Sequence, residues 1–173
     1  LALTKPINFL IEKGTGFCNN TAKAASIITF FTLLVSLFNW GLGLIFGAIF
    51  ARKVGEHASK ENIKLNYPLI GAAGYSGLMV WHGGISGSAP IKIAEDCHLW
   101  KLLEGTKVRT EHIPEMISLS ETVFSTMNIS ISVVLLIVLP FLMYYLGKKN
   151  NGTILKIKSE EKMNEVEING AEK

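Results

Sequence analysis

Three stretches of this chain carry almost no formal charge over lengths that match a lipid bilayer. Ser26 to Phe50 is 25 residues without a charge, only Lys64 interrupts the run from Asn62 to Ile91, and Thr122 to Gly147 again has none. A bilayer core of about 30 Å takes roughly 20 apolar residues as helix, and each stretch reaches that length. Charged residues make up 18% of the chain, against about 25% in soluble domains. Three buried helices of a soluble α-helical protein would need a polar layer over every face of each, and too little polar sequence remains to supply it. The expected fold class is an all-α membrane protein with multi-pass transmembrane helices.

The stretches divide the chain. Residues 1–25 set Ile7, Leu10 and Ile11 at helical spacing among Lys5, Glu12, Lys13 and Lys23, which suits an interfacial or connecting segment. Segment A covers 26–50, a polar loop covers 51–66, and segment B covers 67–91. A net acidic loop, 92–125, leads to segment C, 126–147, the cleanest span despite Pro140, and a polar linker or tail fills 148–173. That tail is Lys/Glu-rich and cannot bury enough surface to fold alone. Lys and Arg near the spans place 51–66 and Lys148-Lys149 on the cytoplasmic side and loop 92–125 outside. This topology holds for three full crossings and changes if A or B enters and leaves by one face.

Segments A and B share an unusual feature. Each is apolar chain broken by a glycine-rich polar string, "NWGLG" at Asn39 to Gly43 and "HGGISGSAP" at His82 to Pro90. Pro90 has no amide hydrogen and disfavours helix at Ala89. Irregular backbone survives at membrane depth only when buried in protein or lining a watery cavity. Carriers use such breaks to aim free amides and the positive ends of half-helices at an anionic substrate. The hydroxyls of Ser86 and Ser88 and the amide of Asn39 add neutral hydrogen bonds, so a small carboxylate is held without a buried cation. Helix packing is the competing account of the glycines, since small residues let membrane helices approach closely. For "GLGLIFGA" (Gly41, Gly43, Gly47) both readings stand. The density of Gly, Ser and Pro in "HGGISGSAP" exceeds what a packing face needs.

Tyrosines aside, His82 is the only titratable side chain within the apolar segments. It reads either as a proton carrier or substrate donor, or as a neutral His satisfied by a carbonyl. Trp40 and Trp81 border the breaks and wall a pocket or pack. Thr122, Ser125 and Asn128 put polar groups at the start of segment C, as a site face or as a cap on Ser120 or Thr122. Cys18 and Cys97 stand outside any metal or disulfide pattern. No nucleotide fingerprint, HExxH or Ser/His/Asp set is present, so no enzyme activity, cofactor or nucleic-acid partner is expected.

The blocks "NWGLGLIFGAIFAR", "YPLIGAAGYSGLMVWHGGISGSAP" and "TVFSTMNISISVVLLIVLPFL" together resemble the bacterial short-chain fatty acid transporter family, in order and approximate spacing. The resemblance runs from about Leu1 to the Lys148 region. It implies a secondary transporter of the bacterial inner membrane, built from two related halves, that takes up acetoacetate, butyrate and similar monocarboxylates. The chain resembles roughly the first half, so a missing second half is expected as its partner. Homo-oligomers also belong among the expected assemblies. H⁺ or Na⁺ is the expected coupling ion. The substrate-binding residues expected are Asn39, Gly41, Gly43, His82, Gly83, Gly84, Ser86, Gly87, Ser88 and Asn128. Two departures stand out: His82 falls where the family pattern often has Gly, and loop 94–111 is longer and more charged. The alternatives are an ion-coupled carrier of dicarboxylates or other organic anions, and a non-transporting membrane scaffold subunit.

Overall fold

The computed structural model describes residues 9, 11, 13–106, 113–149 and 152–154. The remainder of the expected interfacial stretch, residues 107–112 of the acidic loop and the tail beyond Ile154 lie outside the described residues.

Segment A folds as two helices, α1 (Thr21–Phe38) and α2 (Trp40–Lys60), separated by one extended residue, Asn39. Each helix starts on an asparagine. The Asn20 side chain accepts from the Lys23 amide, and that of Asn39 accepts from the Leu42 amide, which satisfies donors that a helix start leaves free. Asn39 also closes α1, its amide donating to the Val35 carbonyl at 2.9 Å. The glycines expected to unwind the chain are therefore helical: Gly41 and Gly43 belong to the first turn of α2. The polar stretch from Ala51 continues the same helix as far as Lys60, rather than forming loop.

The two helices fold back on each other as a tight antiparallel hairpin. A Cβ on Gly43 would collide with Ser36, and one on Gly47 would collide with the Gly74 carbonyl and touch Thr32. Positions 36 and 32 of α1 thus face positions 43 and 47 of α2, which only an antiparallel pair allows. Segment A consequently enters and leaves by one end of the molecule, in place of a single crossing.

A short strand, β1 (Lys64–Leu65), pairs antiparallel with β2 (Thr153–Ile154). Segment B then starts as α3 (Tyr67–Tyr75), tightens into a 3₁₀ turn at Ser76–Val80, and leaves helical geometry through 81–87. The Asn66 amide donates to Thr21 Oγ1, and Gly77 and Gly84 lie against Ser36 and Leu37. Segment B therefore runs parallel to α1 along its whole length. Short helices α4 (Ser88–Ile93) and α5 (His98–Leu103) follow. Segment C is one helix, α6 (Thr126–Lys149), with Pro140 inside it. It starts at Ser125, whose Oγ accepts from the Asn128 amide at 3.3 Å, and not at Ser120 or Thr122. It lies antiparallel to α1, with Asn128 beside Gly83 and Gly147 pressed on Ala22.

The molecule has two ends as a result. The base gathers residues 20–22, 60–66, 147–149 and 152–154; the tip gathers Asn39, 81–87 and 123–128. Between them the larger core packs Ile28, Phe46, Phe50, Val54 and Ile70, and a smaller one joins Leu33, Val80 and Leu139. Among the described residues two helices, α1 and α6, are long and apolar enough to cross a membrane, where the sequence suggested three spans. The 18 residues of α1 reach about 27 Å, close to the apolar thickness of a bilayer. Segment B spends its length on a short helix, a 3₁₀ turn and irregular chain, so it contains no such helix.

Candidate functional site

The two breaks, more than 40 residues apart in sequence, meet at the tip. The Trp40 amide, first in α2 and without an intrahelical acceptor, donates to Ser86 Oγ at 3.0 Å. The Ile85 amide donates to the Leu37 carbonyl at 2.8 Å, near the end of α1 where carbonyls also lack helical partners. One break thus serves the orphan backbone groups of the other. Gly84 makes this approach possible: a Cβ there would sit 2.6 Å from the Leu37 carbonyl oxygen.

The third helix closes the arrangement. Asn128 Nδ2 donates to the carbonyls of Gly83 (2.9 Å) and Val123 (2.7 Å), tying α6 to the second break. Both amide hydrogens are used, so its Oδ1 is the free function. The amides of His82, Gly84 and Ser86 donate to no acceptor among the described residues. Such unpaired N–H groups suit an anion, and their concentration in five residues is what the glycine-rich string achieves.

Beside this knot lies an apolar groove of about 500 Å³ between α1 and α6. Leu37, Phe38, Ile129 and Val133 form its walls, while Gly83, Gly84, Asn128 and Ser132 give it one polar edge. No charged side chain lines it. Ser132 makes no side-chain hydrogen bond among the described residues, leaving a hydroxyl at that edge.

The ten residues expected at the site separate into groups. Asn39, Gly83, Gly84, Ser86, Gly87 and Asn128 come together at the tip. Gly41 sits in α2 beside Asn39, its Cβ position 3.5 Å from Asn39 Oδ1. Gly43 is buried against Ser36, as are Gly47 and Gly74 against each other, which makes "GLGLIFGA" a packing face beyond its first residue. Ser88 is exposed at the start of α4. His82 is exposed and stacks on Trp81, with ring centroids 4.9 Å apart and planes within 10°. Trp81 in turn lies 4.7 Å from Trp40, so the two tryptophans pack on each other across the breaks. The indole Nε1 of Trp81 is buried without a partner among the described residues.

Several groups escaped the sequence reading. Thr29, Thr32 and Ser36 are fully buried on one face of α1, and their hydroxyls have no partner among the described residues. Their spacing of three and four residues in an apolar run was a legible signal. Ser132 carried no comparable signal, because its neighbour Ser130 looks the same and faces away, donating to the Thr126 carbonyl. Glu56 is 8% exposed and held by Arg52 Nε at 3.0 Å and Lys53 Nζ at 3.3 Å. No group of metal-ligating side chains occurs among the described residues.

Known proteins agree with the motif blocks. The sequence profile of the family described as "Short chain fatty acid transporter" matches residues 1–173. Two curated relatives are both called "Putative short-chain fatty acid transporter". The Escherichia coli (strain K12) protein is 34% identical over 142 residues, covering 82% of this chain and 29% of its own length. The Haemophilus influenzae protein is 31% identical over 153 residues, covering 88% of this chain and 33% of its own. The chain therefore spans about a third of the length of these relatives, a smaller share than half. No solved structure matches it.

Proposed function

The chain belongs to the short chain fatty acid transporter family, a family of transporters and not of enzymes, and from that membership we propose that it is part of a secondary active carrier for short-chain monocarboxylates such as butyrate and acetoacetate. The carrier works in the bacterial inner membrane as a multi-pass protein, with the rest of its length completing the site. The observation that carries this reading is the meeting of the two breaks at the tip, joined through Trp40, Ser86, Leu37 and Ile85.

The chemistry of a monocarboxylate divides it in two, and the tip offers a counterpart for each half. The unpaired amides of His82, Gly84 and Ser86 and the Ser132 hydroxyl suit the carboxylate, while the α1–α6 groove takes the alkyl chain. A neutral donor set avoids placing a buried cation in lipid. The same lack of cations argues against dicarboxylates, whose second charge would lie unpaired in the groove. Asn39 and Asn128 hold the backbone that presents the donors, and H⁺ or Na⁺ supplies the drive. His82, exposed at the edge of the knot, is the group fitted to carry the proton if H⁺ is the ion.

Uptake of labelled butyrate by the complete protein in proteoliposomes tests this, with a pH gradient and a Na⁺ gradient imposed in turn. Asn128→Ala leaves the Gly83 and Val123 carbonyls without donors and is expected to lower uptake at least tenfold, about 1.4 kcal/mol. Ser86→Ala, which orphans the Trp40 amide, is expected to act similarly. Ser88→Ala, at an exposed helix start, is expected to cost less than twofold. Wild-type uptake untouched by Asn128→Ala and Ser86→Ala would sink the site assignment, and no uptake of any monocarboxylate would sink the function.

A further inference from the structure

At the base, far from the tip, a cavity of about 600 Å³ opens where the start of α1, strand β1 and the end of α6 converge. Lys64, Tyr144 and Lys148 line it together with residues 20–22 at the start of α1. No acidic side chain lines it, and neither lysine forms an ion pair among the described residues. Lys148 Nζ is held 5.2 Å above the Tyr144 ring. The opening amides of α1 add partial positive charge, since Asn20 satisfies only the Lys23 amide. Gly147 pressed on Ala22 fixes α6 against α1, and Thr21 accepting from Asn66 fixes β1 beside them. The cationic groups therefore converge on one space from three separate elements.

Directly along α6 from this cavity runs an uncovered apolar face. Tyr145 is 64% exposed and Phe141 71%, and Val138 and Val134 continue the face toward the middle of the helix, each about half exposed. A cationic cavity at the mouth of an apolar helix face describes an amphiphile with an anionic head. We propose that the cavity binds the headgroup phosphate of an anionic phospholipid of the cytoplasmic leaflet, whose acyl chains lie along α6. This rests on reading the chain as part of a membrane carrier. Basic pockets between membrane helices on the cytoplasmic side select anionic headgroups by charge. A soluble phosphate satisfies the lysines but leaves Phe141 and Tyr145 uncovered, whereas one lipid serves both.

The complete protein, purified in neutral detergent, is titrated separately with phosphatidylglycerol, with phosphatidylcholine of the same chains, and with inorganic phosphate. Lipid adducts in native mass spectrometry and the thermal midpoint are read. Phosphatidylglycerol is expected to bind and raise the midpoint, and the other two to do neither. K64Q/K148Q is expected to weaken phosphatidylglycerol binding roughly thirtyfold, the effect of two lysines near a lipid surface. K92Q, at the other end of the molecule, is expected to leave it unchanged. Both substituted lysines are exposed, and the midpoint of the double variant in phosphatidylcholine verifies its fold. Undiminished phosphatidylglycerol binding by K64Q/K148Q overturns the proposal, as does an equal midpoint rise with inorganic phosphate alone. Butyrate uptake on the same preparation separates the two readings. Uptake with lysine-independent lipid binding defeats the lipid site only, and lysine-dependent lipid binding without uptake upholds it while defeating the transport reading.

Discussion

Two cysteines illustrate how much a residue's surroundings decide. Cys18 is fully buried, its thiol donating to the Gly14 carbonyl at 3.3 Å, and burial pushes its pKa up to about 12. Cys97, in the partly exposed loop beyond α4, donates to Glu115 Oε1 at 3.1 Å. That hydrogen bond raises its pKa first of all, with burial and the Glu115 charge adding in the same direction. Because the thiolate is the reactive form, a raised pKa slows alkylation at neutral pH and shifts the rate curve to higher pH. Maleimide is therefore expected to modify Cys97 slowly and Cys18 not at all in the folded protein. Glu115→Gln removes the charge and weakens the acceptor, so Cys97 is expected to react severalfold faster at pH 7. Mass spectrometry after timed quenching reads both sites, and equal rates in the two proteins would refute the coupling.

Beside the core of Ile28, Phe46, Phe50 and Ile70, glycines set how closely the elements of this protein approach. Gly47 and Gly74 press on each other where α2 crosses α3, and Gly147 presses on Ala22 where α6 meets α1. A methyl group at Gly47 meets the Gly74 carbonyl, which cannot swing aside, so the helices must separate. Gly47→Ala is expected to destabilise the fold by about 1–3 kcal/mol. Gly71 provides the control within α3: nothing lies within 4 Å of its Cβ position. Gly71→Ala is expected to be neutral or stabilising by up to about 1 kcal/mol through helix propensity. Thermal midpoints in one detergent compare the pair, and equal losses would mean that contact at the crossing does not matter. Among the described residues the hydroxyls of Thr32 and Ser36 have no partner, and these side chains meet Gly47, Gly43 and Gly77. The α1 surface there holds its neighbours by shape and not by hydrogen bonds, although such hydroxyls usually bond back to their own helix.

Across the whole molecule, the hairpin of α1 and α2 decides the topology. It brings Lys23, Lys60, Lys64 and Lys149 to the base, while Glu95, Glu104 and Glu115 follow the tip. With the base cytoplasmic, as the proposed membrane placement requires, the lysines obey the positive-inside bias. A single crossing by segment A would put Lys23 outside instead. In a Cys97→Ser background, Glu104→Cys is expected to react with an impermeant maleimide on intact cells. Lys23→Cys, Lys60→Cys and Lys149→Cys are expected to react only after permeabilisation. Labelling of Lys23→Cys from outside would restore the single crossing and reject the hairpin orientation.

Much of this was legible in one dimension, because it depends on local composition. The apolar runs mark α1 and α6, since runs of that length without charge have little use outside lipid or a deep core. Trp40 and Ser86 mark the two breaks, because Asn, Gly and Pro change backbone preferences wherever they stand. Other features depend on which surfaces meet. Nothing local distinguishes Gly41, beside Asn39, from Gly43, buried against Ser36, because the difference lies in the partner helix. Nor does composition tell one broken crossing from a hairpin, since a single residue, Asn39, turns the chain in both pictures. The sequence by itself determined the family, the helical class and the apolar runs of α1 and α6. Only the tertiary structure decided that the breaks touch, that Asn128 ties them to α6, and that a basic cavity forms at the opposite end. The physical reason is that each of these is a pairing of orphan groups distant in the chain, and pairing is chosen by packing.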